Sequence, residues 1–236
     1  MDPAPYRSLP ARLADVFFAP GRLGETLRDH PRWIGALLVA AIVGSCSVVP
    51  MVFTERGKRM SREVNEEAMR ELRRKGINVP EGQTQGQEKW NAVMPAVAFA
   101  WVVLFALGAA GILWVACVPL MGAAVRFKTM LAIVSHTLLI DVVGGWVNVA
   151  LKLSTGNLMA HTSLAALRGG AGILDPWYTL LYILEFFVFW SMLATGVAVG
   201  TATKKSMAAT IMVPIGAWVL LRGGLAALQA LAMGAM

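Results

Sequence analysis

Charged side chains are scarce in this sequence: Asp, Glu, Lys and Arg together make up 15% of its 236 residues, and none occurs between Trp33 and Phe53. So few polar groups cannot cover the water-facing surface of a globule of this size, which excludes an ordinary soluble domain. Cysteine is nearly absent. Cys46 and Cys117 both fall inside apolar runs, where small buried thiols are common, so neither a disulfide nor a metal site is expected. The histidines, His30, His136 and His161, are scattered, and no HExxH, GxSxG, Walker-type or complete GxGxxG pattern occurs. The expectation is a chain with no catalytic residues, no cofactor, no metal ligand set and no nucleic acid partner.

What is present in quantity is hydrocarbon: 57% of the residues are hydrophobic and the mean hydropathy is +0.61. Crossing about 30 Å of bilayer core takes about 20 apolar residues. Five runs meet that requirement, roughly 33–53, 92–118, 130–151, 178–203 and 207–230. They predict an all-α integral membrane bundle of five transmembrane helices. A cytoplasmic amphipathic segment, 1–32, precedes a membrane domain, 33–236, that carries one long polar loop, 54–91. The first run lies far from Met1 and has no convincing cleavage pattern, so no removed signal peptide is expected.

Ahead of the first span, Leu9, Leu13, Val16 and Phe17 recur at helical spacing, Ala19-Pro20-Gly21 breaks the pattern, and Leu23 and Leu27 resume it. Two readings stay open. The two short helices pack on the rest of the protein, or they lie on the membrane surface as interfacial helices. In the second case Phe17, Phe18, Arg22, Arg28, Arg32 and Trp33 are the membrane-surface contacts, the arginines facing anionic headgroups. Pro31 suits the first turn of a new helix and Trp33 suits a headgroup boundary.

In the loop 54–91, Met60, Val64, Ala68 and Leu72 form one stripe. Arg59 with Glu63, Arg62 with Glu66, Glu66 with Arg70, and Glu71 with Lys75 are spaced for i, i+4 pairs. Gly76 is a helix stop and INVPEGQTQGQEK a flexible return. The loop reads as a solvated helical excursion or as a docking surface for a partner. Its nine Lys and Arg complicate orientation, because the positive-inside rule counts them whatever the acidic residues nearby. Five N-terminal arginines and the short loops holding Arg126 with Lys128 and Lys204 with Lys205 stand opposite, nine basic residues against eleven once Lys152 and Arg168 are counted with the loop, nearly a draw. The N-terminus is assigned to the cytoplasm.

Asp141, Glu185 and Arg222 are ionisable residues inside apolar runs. Such groups cost roughly 2.5 to 3.5 kcal/mol each on insertion scales and normally find partners within a protein. At about 1.5 Å per residue all three come out near one depth. That predicts a Glu185–Arg222 pair fixing helix register, or a proton or ion relay with His136 and Asn148 as further stations. Gly196 and Gly200 form a GxxxG suited to close helix packing. STGNLMAHTSLAALRGGAGILDPW is patchily apolar and predicts a short interfacial or re-entrant helix involving Leu158, Leu164, Ala165 and Leu167. Its Asp175-Pro176 suits the start of the fourth span.

VFFAPGRLGETLRDHPRW resembles the amphipathic F-x-x-P segment followed by Pro-x-Trp in bacterial members of the Yip family, the Ypt/Rab-interacting membrane proteins. LDPWYTLLYILEFFVFWSMLATGVAVGTATKKSMAAT resembles their second signature, an Asp-led span with an internal Trp, then Gly, Thr and a basic pair. The resemblance covers nearly the whole chain. It implies a cytoplasmic N-terminus and a C-terminus on the opposite side. It also links eukaryotic members to small GTPases, traffic and membrane shaping. Their Asp-Leu-Tyr-Gly-Pro and Gly-Tyr motifs are absent here, which argues against a small GTPase partner, and 54–91 is longer than a simple bacterial member requires. The resulting expectation is a noncatalytic protein of the bacterial cytoplasmic (inner) membrane. It would organise the bilayer or bind a protein partner, a second copy included, the alternative being a transporter or channel subunit using Asp141, Glu185 and Arg222.

Overall fold

The computed structural model describes residues 7–74, 76, 87–167, 176–182 and 184–234. Among these the elements are α1 (Leu9–Phe18), α2 (Pro20–Asp29), α3 (Ile34–Cys46), α4 (Val49–Phe53), α5 (Glu55–Arg74), α6 (Gln87–Val115), α7 (Phe127–Thr155), α8 (Pro176–Leu181), α9 (Phe186–Thr203) and α10 (Met207–Gly234), with no extended strand. A wider π turn, Ala116–Leu120, ends α6 where Pro119 withholds an N–H, and a single 3-10 turn occupies Leu164–Leu167. Among the described residues five stretches are long and apolar enough to cross a membrane: Ile34–Phe53, Trp90–Leu120, Phe127–Thr155, Phe186–Thr203 and Met207–Leu228.

α7 is the centre. Every residue from Thr129 to Ile140 is buried, as expected of a helix without a polar face that is enclosed by others. Buried hydroxyls on it bond back one turn: Ser135 Oγ donates to the Leu131 carbonyl at 2.7 Å, and Thr137 Oγ1 to that of Ile133 at 3.2 Å. α3 and α6 pack against α7 and each other, while α9 packs against α7, α10 and α2. The outer faces of α6 and α10 remain apolar and uncovered, with Trp101, Leu104, Leu220 and Leu228 exposed. In a bilayer this surface meets lipid.

α5 carries the ion pairs Arg59–Glu63 (3.9 Å) and Arg70–Glu66 (3.3 Å), with Lys58–Glu55 (3.3 Å) at its start. Glu66 is engaged by Arg70, and no ion pair to Arg62 forms. The pairing of Glu71 with Lys75, the return through 77–86 and the Asp175 cap lie outside the described residues. Gly76 takes φ 77° and donates its N–H to the Arg73 carbonyl at 3.0 Å, closing the helix in a conformation that suits glycine.

One departure from the sequence reading, and the choice between two readings it left open, matter for function. The fourth span begins at Phe186 and not near residue 178, because the chain leaves helical geometry between α8 and Glu185, whose φ and ψ are −88° and 130°. The N-terminal helices are packed on the bundle, with Val16, Leu23 and Leu27 fully buried.

Candidate functional site

The interface of α7 and α9 is a polar seam. The helices run antiparallel, so positions rising along α7 meet positions falling along α9. Thr137 Oγ1 and Thr195 Oγ1 are 2.8 Å apart. One turn on, Ser191 Oγ donates to Asp141 Oδ1 at 3.0 Å. Gly144 then lets the Phe187 ring seat against bare backbone. Finally Asn148 Nδ2 donates to Glu185 Oε1 at 3.5 Å. The α7 residues recur at steps of 4, 3 and 4, the spacing that keeps one helix face toward a neighbour.

Glu185 closes the seam. It is the N-cap of α9, its Oε2 accepting the Val188 N–H at 2.7 Å. Its Oε1 also accepts from Thr162 Oγ1. The Thr162 N–H in turn donates to Asn148 Oδ1 at 2.9 Å, and its carbonyl accepts the Phe186 N–H at 3.0 Å. The segment after α7 is thereby folded back onto the start of α9, with Ala165 buried while Leu164 and Leu167 are exposed. His161, 7% exposed, stacks on Tyr182 at 4.8 Å. Burial lowers its pKa, Lys152 nearby acts in the same direction, and Glu185 raises it.

This corrects the depth assigned to Glu185. It sits at the end of an 18-residue helix, about 27 Å from the other end at 1.5 Å per residue, and therefore at a membrane boundary and not at midplane. The expected pair with Arg222 is not formed: among the described residues no ion pair joins them. Arg222 lies instead over the rings of Trp218 (4.5 Å) and Tyr182 (5.1 Å). His136 is also off the seam. It is five residues from Asp141 and so about 140° around the helix. It is fully buried, with Nδ1 donating to the Ala132 carbonyl at 2.7 Å. The structure therefore brings together Asp141, Asn148 and Glu185 along one face and leaves His136 and Arg222 elsewhere.

Gly196 and Gly200 lie where α10 crosses α9. A side chain at Gly196 would collide with the Ile211 backbone, one at Gly200 would come within 2.8 Å of Thr210 Oγ1, and Thr210 Oγ1 donates to the Gly196 carbonyl at 2.9 Å. α2 approaches the last turns of α9 as closely, with Gly24 against the Ala198 carbonyl and Thr201 Oγ1 donating to the Gly21 carbonyl at 3.0 Å. Of the six residues read as surface contacts, Phe17 packs edge-on to Trp190 at 5.7 Å, and Trp33 is partly buried against the core. Phe18, Arg22 and Arg32 are exposed, while Arg28 pairs with Asp29 at 3.0 Å.

Sequence reasoning missed Ser191, Thr195 and Thr162, because hydroxyls barely interrupt a hydrophobic run. The 4, 3, 4 spacing of Thr137, Asp141, Gly144 and Asn148 was the available signal.

A family model described as the Yip1 domain matches residues 14–228. The chain belongs to the Yip1 domain family. The match starts within α1, passes through α2 and ends in α10, so the Yip1 domain here takes in the docked N-terminal helices together with the spans. No curated protein and no solved structure matches the chain. Among the described residues no cluster of His, Cys, Asp and Glu is arranged to hold a metal ion.

Proposed function

We propose that this Yip1 domain protein is a noncatalytic component of a bacterial cytoplasmic (inner) membrane that organises the bilayer or holds a protein partner, its N-terminus in the cytoplasm. The observation that carries this reading is the use made of the polar groups along the α7–α9 seam. Asp141 is engaged by Ser191, and Glu185 by Asn148, Thr162 and the Val188 N–H. The Asp141–Ser191 and Asn148–Glu185 bonds join α7 to α9 and fix one register, the best-attested use of buried polar groups in helix bundles. Five spans do not divide into equal repeats around a midplane site, as many transporters do.

The rival is a transporter or channel subunit. In sealed liposomes the purified protein should pass no protons or ions above empty vesicles. A reproducible flux lost on Asp141→Asn would overturn the scaffold reading and promote the rival.

Orientation is checked separately. In a background lacking Cys46 and Cys117, cysteines introduced at Gln85 and Gly234 should react with an impermeant thiol reagent added to intact cells, and one at Lys128 should not. The reverse labelling pattern would place the N-terminus outside.

A further inference from the structure

Arg222 stands 15 residues beyond the start of α10. At 1.5 Å per residue that is about 22 Å, some 8 Å short of the far boundary of a 30 Å core. α10 is little covered by the rest of the chain, and Leu225, one turn beyond Arg222 on the same face, is exposed. A guanidinium on a lipid-facing helix requires partners. The rings of Trp218 and Tyr182 lie against the cation, a favourable cation–π arrangement. They do not satisfy its Nε, which is buried without a hydrogen-bond partner. Glu185, whose charge acts on the same Tyr182 ring, already accepts from Thr162, Asn148 and Val188.

We propose that Arg222 clamps the phosphate of a phospholipid in the leaflet opposite the N-terminal helices, with Trp218 and Tyr182 orienting the guanidinium. The planar fork of N–H donors matches two phosphate oxygens bidentately, which an ammonium cannot do. Tyr182 stands three residues before Glu185, the boundary residue at the start of α9, and its ring lies 5.1 Å from the guanidinium, which brings the cation near the headgroup level. Trp177 of α8, 59% exposed, and Tyr182 supply the amphipathic rings found at that level of a bilayer. Lipid phosphate is dense there, whereas a free anion would have to enter hydrocarbon. The ligand class is glycerophospholipid irrespective of net headgroup charge. This inference depends on α10 spanning the membrane and is independent of whether the protein is a scaffold or a transporter.

The test is native mass spectrometry of the full chain in detergent, titrated with dioleoylphosphatidylglycerol, dioleoylphosphatidylethanolamine or dioleoylglycerol, the last having the same tails without phosphate. Both phospholipids should bind about tenfold more tightly than the diacylglycerol, the worth of one good charge-assisted contact. Arg222→Met should erase the difference, Arg222→Lys should keep part of it, and millimolar inorganic phosphate should displace neither phospholipid. Equal binding of phospholipid and diacylglycerol by the unaltered protein would overturn the proposal, as would an undiminished preference in Arg222→Met. Displacement by phosphate would assign the arginine to a free anion. A dimer lost on Arg222→Met would assign it to a second copy of the chain. Should Arg222→Met not fold, the comparison on the unaltered protein still decides, and Trp218→Leu should weaken phospholipid binding severalfold while sparing diacylglycerol.

Discussion

Replacing Gly24 by leucine is expected to lift α2 off α9 and to lower the stability of the membrane domain by several kcal/mol. Overpacking a tight contact costs about 1 to 3 kcal/mol when side chains can adjust, and more when they cannot. Here the obstacle is the Ala198 carbonyl oxygen, with Thr201 Oγ1 beside it, so relief requires moving one helix. The contact also keeps Leu23 and Leu27 at zero exposure. A cysteine placed at Leu27, in a background lacking Cys46 and Cys117, should be protected from maleimide in the otherwise unaltered protein. It should react at least about tenfold faster once Gly24 is leucine, since each 1.4 kcal/mol of lost docking energy is a tenfold change in the open population. Gly21→Ala should be tolerated, because its added carbon meets the Thr201 methyl at 3.4 Å, and Gly108→Ala should be neutral, since nothing lies within 4 Å. Unchanged protection in Gly24→Leu would mean that α2 is held some other way.

Glu185→Ala should be the most damaging single change among the seam residues, at about 3 kcal/mol. It strips an acceptor from the Thr162 hydroxyl and the Asn148 amide and removes the N-cap of α9. Each buried group left without its partner costs about 1 to 3 kcal/mol, and a lost cap about 0.5 to 2. Thr162 and Asn148 retain their bond to each other, which keeps the total below the sum. Glu185→Gln keeps an acceptor oxygen and should lose markedly less. Chemical denaturation in mixed micelles would then separate the partners. Glu185→Ala and Thr162→Val together should cost less than the sum of the singles, because they break one shared interaction. Glu185→Ala and Arg222→Met should be close to additive. Strong coupling of the second pair, with none in the first, would restore the ion pair that the structure lacks.

How much of this was legible follows from what hydropathy measures. The five spans were readable because long apolar runs have few alternatives, and α5 because its charges repeat at i, i+4. Glu185 was misplaced because Tyr178 to Phe189 contains no Gly or Pro to mark a break. What interrupts the helix is a tertiary event, the backbone pairing of Thr162 with Phe186, and no local pattern announces it. The docking of α2 was one of two open readings, since Gly24 in an amphipathic stretch is equally compatible with a helix lying on lipid. Only its distance to Ala198 chooses.

The burial of α7 from Thr129 to Ile140 also sets the order in which the molecule can be finished. Its partners Ser191 and Thr195 are synthesised after it, as is the α9 surface on which α2 rests. From Asn148 to Thr203 a ribosome adding about 5 to 20 residues per second needs roughly 3 to 11 s. For much of that interval Asp141 and Asn148 have no native partner on α9, and α1 and α2 lack the α9 surface on which they dock. α1 and α2 are thus among the last elements to close, and those seconds are when a nascent chain of this design depends most on whatever shields polar side chains from lipid during insertion.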